Sequence, residues 1–137
     1  MLGEMDVINA VINFLYEKEN CKDIKAVNGT KEKGPDITVK LDDGETLKIE
    51  AKGQGSSDPN SNRYGDKFTS NQKLDHVSKA LYTACTYVTQ GFVGGIALPG
   101  DSKHRELIER ITKPIHILQI RVFFVDEETR MVDEFPR

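Results

Sequence analysis

The chain has 137 residues, 37% of them hydrophobic and 30% charged, which suits one domain around one core. Its formal net charge of −3 argues against a globally basic nucleic-acid coat, and its two cysteines, Cys21 and Cys85, lack metal-type spacing and are too few for a disulfide framework. The opening residues Met1 to Asp6 lack the basic and apolar regions of a signal peptide, and no apolar run approaches the roughly 18 residues of a membrane span, so a reducing cytoplasm is the expected setting.

From Glu4 to Lys18, Val7, Ile8, Val11, Ile12 and Leu15 fall on one side at about 100° per residue, which predicts an amphipathic helix. A strand is expected near Asp23 to Val27, before the turn signals Asn28-Gly29 and Lys33-Gly34-Pro35. Asp36 to Leu41 alternates and is β-branched, Asp42-Asp43-Gly44 is a hairpin turn, and Thr46 to Lys52 alternates again. Gly53 to Thr69 is a loop of Gly, Ser, Asn, Asp and Pro, too poor in apolar residues to order itself, and is expected to be mobile and functional. Ser70 can cap a helix starting near Asn71, with the apolar stripe Leu74, Val77, Leu81, Ala84 and Val88.

Phe92 to Leu98 reads as a buried strand, Ser102 to Thr112 as a helix whose extension Pro114 limits, Arg121 to Val125 as a strand, and Met131 to Phe135 as its short partner. The expected fold is α/β, a single domain over residues 1–137 with a mixed β-sheet flanked by helices.

Hydrolysing a phosphodiester at neutral pH requires a nucleophilic water and neutralisation of charge on the phosphate. Hard divalent ions supply both when carboxylate oxygens hold them and water positions stay open. Asp36 opens one predicted strand, while Glu50 and Lys52 share one face of the next because side chains repeat every second residue. The hairpin brings Asp36 close to them.

These residues, Pro35-Asp36 followed after 13 residues by Glu50-Ala51-Lys52, resemble the PD-(D/E)xK nuclease superfamily. The resemblance implies a restriction-endonuclease-like fold, Asp36 and Glu50 as metal ligands with the carbonyl of Ala51, and Lys52 as the catalytic lysine that positions or deprotonates the water. Many members, including archaeal Holliday-junction resolvases, add a glutamate on the first helix, and Glu4 fits that place. Glu4 also lies within the apolar side of its helix, where a carboxylate needs a partner such as a metal, although an acid in a first turn also suits the helix dipole. Gly34-Pro35-Asp36, Glu50-Ala51-Lys52-Gly53 and Gln72 are similar to the virus-type replication-repair nuclease branch.

Around this motif, Lys52 to Lys79 carries five Lys or Arg against three Asp. Gln54 could touch a phosphate or a metal-bound water. Arg63, Tyr64 and Lys67 suit phosphates and a stacked base, or else belong to a solvated loop. Gln72, His76 and Lys79 share the polar face of their helix, with Gln72 nearest the site, whereas His76 reads as an ordinary surface histidine. His104 and His116 have no ligand pattern beside them.

The expected function is a nuclease dependent on Mg²⁺, or on Mn²⁺ as a substitute, acting on DNA. It would work as a homodimer if it cuts both strands of a duplex, with Arg121 to Val125 as a contact surface. The alternatives are a non-catalytic nucleic-acid-binding or assembly subunit, and an unrelated α/β domain in which Glu50 and Lys52 form a surface ion pair.

Overall fold

Alternation along the strands sends apolar side chains to both faces of a sheet, so helices must cover both. The computed structural model describes residues 1–27, 34–55 and 65–137. Its elements are α1 (Glu4–Lys18), β1 (Ile24–Ala26), β2 (Ile37–Lys40), β3 (Thr46–Ala51), α2 (Ser70–Thr89), β4 (Val93–Pro99), α3 (Ser102–Glu109), α4 (Thr112–Ile117), β5 (Arg121–Val125) and β6 (Val132–Glu134). Among the described residues the strands form one sheet in the order β1-β2-β3-β4-β5-β6. The first three strands run antiparallel, β3, β4 and β5 run parallel, and β6 returns antiparallel. The fold is therefore α/β, with a six-stranded mixed sheet flanked by helices. No helix among the described residues is long and apolar enough to cross a membrane.

Two cores lie back to back on this sheet. Helix α1 brings Val7, Ile8, Val11 and Leu15 against Ile37, Val39, Leu47, Ile49, Ala51, Ala97, Phe123 and Val125. On the other face, Val77, Ala80 and Ala84 of α2, Leu107 and Ile108 of α3 and Ile115 of α4 cover Ile96, Leu98, Val122 and Phe124. Odd and even positions of β4 and β5 thus feed different cores, as a period of two requires.

Three details differ from the sequence-based expectation. The buried side of α2 is Val77, Ala80, Ala84 and Tyr87, while Leu74 is 49% exposed. At Ala84 the helix comes close to β4, since a Cβ at Gly94 would lie 2.7 Å from the Ala84 carbonyl oxygen, so this part of the contact is made by an alanine and a glycine. The helix expected over Ser102 to Thr112 ends at Glu109, and Pro114 sits inside the first turn of α4, where its missing N–H costs no helical hydrogen bond. Finally, all five residues of β5 are buried between β4 and β6, so Arg121 to Val125 offers no surface for a second copy.

Candidate active site

The antiparallel register pairs Ile37 with Ile49, which sets Asp36 beside the end of β3. There its Oδ2 accepts a hydrogen bond of 2.8 Å from the Ala51 N–H. Alternation along β3 turns Leu47, Ile49 and Ala51 into the α1 core and leaves Lys48, Glu50 and Lys52 half-buried on the opposite side. The ammonium of Lys52 lies 3.7 Å from Glu50 Oε1, and these side chains are only 21% and 19% exposed, unlike a solvated surface pair. Lys52 also donates its backbone N–H to the Ala97 carbonyl at 3.0 Å, which ties it to β4.

Glu4 enters this group from the far layer because the backbones cross at Gly53. A Cβ on Gly53 would meet Glu4 N at 2.7 Å, Gly3 C at 2.9 Å and Leu2 O at 3.1 Å, so only glycine fits this crossing. Gln54 fastens it: its N–H donates to Leu2 O at 2.7 Å, and its Oε1 accepts from Leu2 N at 3.2 Å.

The carboxylates feel one another. Burial, then Asp36, raises the proton affinity of Glu4, with Lys52 opposing. Burial also raises that of Asp36, against the Ala51 hydrogen bond and Lys52. Glu50 is pushed up to about 7 by burial, then by Asp36, with Glu4 adding and Lys52 opposing. No three His, Cys, Asp or Glu side chains among the described residues form a ready-made metal cage.

Other residues singled out by the sequence have varied placements. Gln54, expected to face a substrate, is 2% exposed, with Nε2 at 3.4 Å from both Asp101 and Glu127. Gln72 serves the start of α2: its Oε1 accepts from Thr69 N at 2.7 Å, while its own N–H donates to Thr69 Oγ1 at 3.3 Å. Thr69, rather than Ser70, is therefore the cap. Lys67 is paired with Glu127 at 3.0 Å. The long loop is pinched at its base by a Gly55–Lys67 bridge and by the Phe68 N–H donating to Gln54 O at 2.9 Å. Arg63 and Tyr64 lie outside the described residues, as does most of the loop whose mobility the sequence led us to expect.

The structure also brings in Asp101 and Lys73, which the sequence reading passed over, and gives surroundings to His76 and His104, which it left without a role. Asp101, just past the end of β4, accepts from the His104 backbone N–H at 2.9 Å and sits 2.8 Å from the His104 ring Nδ1. Lys73 of α2 reaches the same carboxylate at 3.4 Å. His76 is half-buried with its ring against Phe68, and Lys52 is among the charges it senses. Tyr87 is pushed up to about 12 by burial, then by Glu50 and Asp36. Asp101 stands just past the end of β4, which runs parallel to and beside β3, the kind of place where open α/β sheets hold their ligands.

No family model, curated protein or solved structure matches the chain.

Proposed function

We propose that the chain is a divalent-metal-dependent nuclease of restriction-endonuclease-like fold that hydrolyses phosphodiester bonds in DNA. The observation that carries this reading is the gathering of Glu4, Asp36, Glu50 and Lys52 from α1 and two strands at one end of the sheet, with the Glu50 proton affinity raised to about 7. A scaffold has no use for three half-buried carboxylates that repel one another, and a divalent cation relieves all three. The donors are hard carboxylate and carbonyl oxygens, which suit Mg²⁺ or Mn²⁺. Asp36 and Glu50 would hold the ion with the Ala51 carbonyl, and Glu4 would support a ligand water or a second ion. When bound, the ion makes its water more acidic and offsets charge on the phosphate.

The protein's own groups do the rest. Lys52 orients the attacking water and counters negative charge developing on the phosphate. Arg63 and Lys67 meet backbone phosphates, Tyr64 stacks on a base, and Gln72 stands at the start of α2 beside the strand's path. Gln54 acts on the site through the backbone it holds. Cleaving both strands of a duplex takes two such sites, hence a homodimer that uses a face other than β5.

The test is incubation with labelled duplex, junction and single-stranded DNA, and the matching RNAs, in Mg²⁺ or Mn²⁺. Wild type should cleave DNA and Asp36→Ala should not. A protein that cuts none of these substrates, or an Asp36→Ala variant as active as wild type, refutes the reading.

A further inference from the structure

Glu127 stands in the turn between β5 and β6, and donors from other parts of the chain converge on its carboxylate. The Lys67 ammonium lies 3.0 Å from Oε1 and 3.3 Å from Oε2, the Met1 amino group is 3.2 Å from Oε1, and Gln54 Nε2 is 3.4 Å from Oε2. Gln54 is 2% exposed, so its amide is a fixed wall, whereas the Glu127 side chain is 36% exposed. Hydrogen bonds, that from Lys67 first, hold the Glu127 carboxyl below the ordinary glutamate range, so it is an anion at neutral pH.

The turn itself does not need this side chain. Asp126 shapes it, with Oδ2 accepting from the backbone N–H of Glu128 at 2.9 Å and of Thr129 at 2.8 Å. The other carboxylate on the Gln54 amide is Asp101, also at 3.4 Å, and both contacts are long for a hydrogen bond. The two acceptor oxygens are therefore no more than about 7 Å apart, where like charges repel. Asp101 is fixed in place, because it caps α3 through the His104 N–H at 2.9 Å and faces Lys73 at 3.4 Å. Glu127 is the anion that can leave.

These donors border the carboxylate site. Gln54 follows Lys52 by two residues, which span at most about 7 Å of chain. Its backbone N–H and Oε1 bind Leu2, two residues before Glu4.

We propose that Lys67 and the Gln54 amide form a phosphate subsite beside the nuclease centre, that Glu127 fills this subsite in the free protein, and that a backbone phosphate of the nucleic acid enters by displacing it. The inference rests on the nuclease reading above and adds a site for a phosphate neighbouring the one that is cut.

The exchange replaces one monoanion with another. Lys67 keeps an anionic partner, the Gln54 amide keeps an acceptor, the Asp101–Lys73 pair is untouched, and the Glu127 carboxylate returns to water. Breaking an exposed ion pair costs little, so Glu127 weakens binding without blocking it. It also selects among ligands. A free anion competes poorly with a tethered carboxylate, whereas a polynucleotide held at the metal by one phosphate presents the next at high local concentration.

The experiment measures binding of a fluorescently labelled DNA duplex against salt in Mn²⁺, in proteins that all carry Lys52→Ala so that bound DNA stays intact. The parent is compared with Glu127→Gln, Lys67→Ala, the two together, and Glu128→Gln, which removes the same charge from the same turn. Glu127→Gln should bind about three- to five-fold tighter, because Lys67 is no longer occupied. Glu128→Gln should stay within about two-fold of the parent, since an exposed charge is screened. Lys67→Ala should bind more weakly, with its log–log salt slope reduced by about one unit, and should erase the gain from Glu127→Gln. By NMR, the Gln54 side-chain amide should shift as DNA is added to the parent. Equal effects of Glu127→Gln and Glu128→Gln, a gain that persists without Lys67, an unmoved Gln54 amide in the bound state, or a parent that binds no DNA overturns the proposal. A wild type that cuts no substrate removes the nuclease reading, and a gain dependent on Lys67 then leaves the subsite standing as part of a binding surface.

Discussion

At the residue scale, Glu50 bears the largest electrostatic burden of the site. Its proton affinity rises from 4.5 to about 7, so between those pH values the folded protein holds a proton that the unfolded chain has lost. The associated stability is full below about 4.5 and is lost as pH climbs through about 7, amounting to about 3 kcal/mol shared with Asp36 and Glu4. Glu50→Gln should therefore make the metal-free protein more stable at pH 8 by about 2 kcal/mol and flatten its stability between pH 5 and 8. Urea denaturation in chelator checks this, and an equal pH dependence in both proteins would clear Glu50 of strain. Added Mn²⁺ should stabilise wild type and not the variant, since binding only to the folded state shifts the equilibrium. Lys52→Ala, by contrast, should abolish cleavage and leave DNA binding within a few-fold, because one phosphate contact is a small part of the affinity. Unchanged turnover would remove Lys52 from the mechanism.

At the scale of elements, the site depends on how the start of α1 is strapped to the end of β3. The strap consists of Leu2 and Gln54 exchanging hydrogen bonds beside Gly53. In Gly53→Ala the new Cβ would press on backbone, at 2.7 Å from Glu4 N, which cannot swing away as a side-chain tip does. We expect a loss of about 1–3 kcal/mol in stability and a weaker Mn²⁺ affinity as Glu4 withdraws. Thermal melting and metal titration separate these effects. Destabilisation without any change in metal affinity would show that Glu4 stands outside the metal site.

At the scale of the molecule, the two ends of the sheet are built differently, one around carboxylates and Lys52 and the other around Arg121. Away from the carboxylates, Arg121 is 4% exposed and grips Glu134 at 2.9 and 2.7 Å and Glu19 at 2.6 Å, joining β5 to β6 and to the end of α1. Beside it opens a cleft of about 470 Å³, lined by Phe92, Val93, Ile115, Ile120 and Arg121 among others and by none of the site carboxylates. That cleft and the carboxylate end share no residue. Arg121→Met should cost about 3–5 kcal/mol by leaving two carboxylates without their cation. Cleavage per folded molecule should stay at the wild-type level in assays well below the melting temperature. Lost cleavage at full folding would mean that the two ends are coupled.

How much was legible in the sequence follows from how local each feature is. Asp36, Glu50 and Lys52 are joined by one hairpin whose turn and alternation are written in adjacent residues, so their common location could be derived without a structure. Glu4 could be placed on a helix side, but its arrival at the site depends on the Gly53 crossing, a contact between segments about fifty residues apart. Apolar alternation marked Arg121 to Val125 as a strand and could not tell an edge from the middle of a sheet, because that depends on which strands hydrogen-bond to it. His76, His104 and Asp101 are ordinary polar residues in the sequence. Asp101 and His104 meet within one helix cap, but Lys73 reaches Asp101 only once α2 and α3 pack on the same face of β4, with Gly94 setting the depth of α2. Sequence alone determined most of the elements, though not the break between α3 and α4, and the acid-acid-lysine hairpin, because turn chemistry and periodicity act within a few residues. Only the tertiary structure decided what surrounds that hairpin, because burial and the meeting of charges depend on long-range packing.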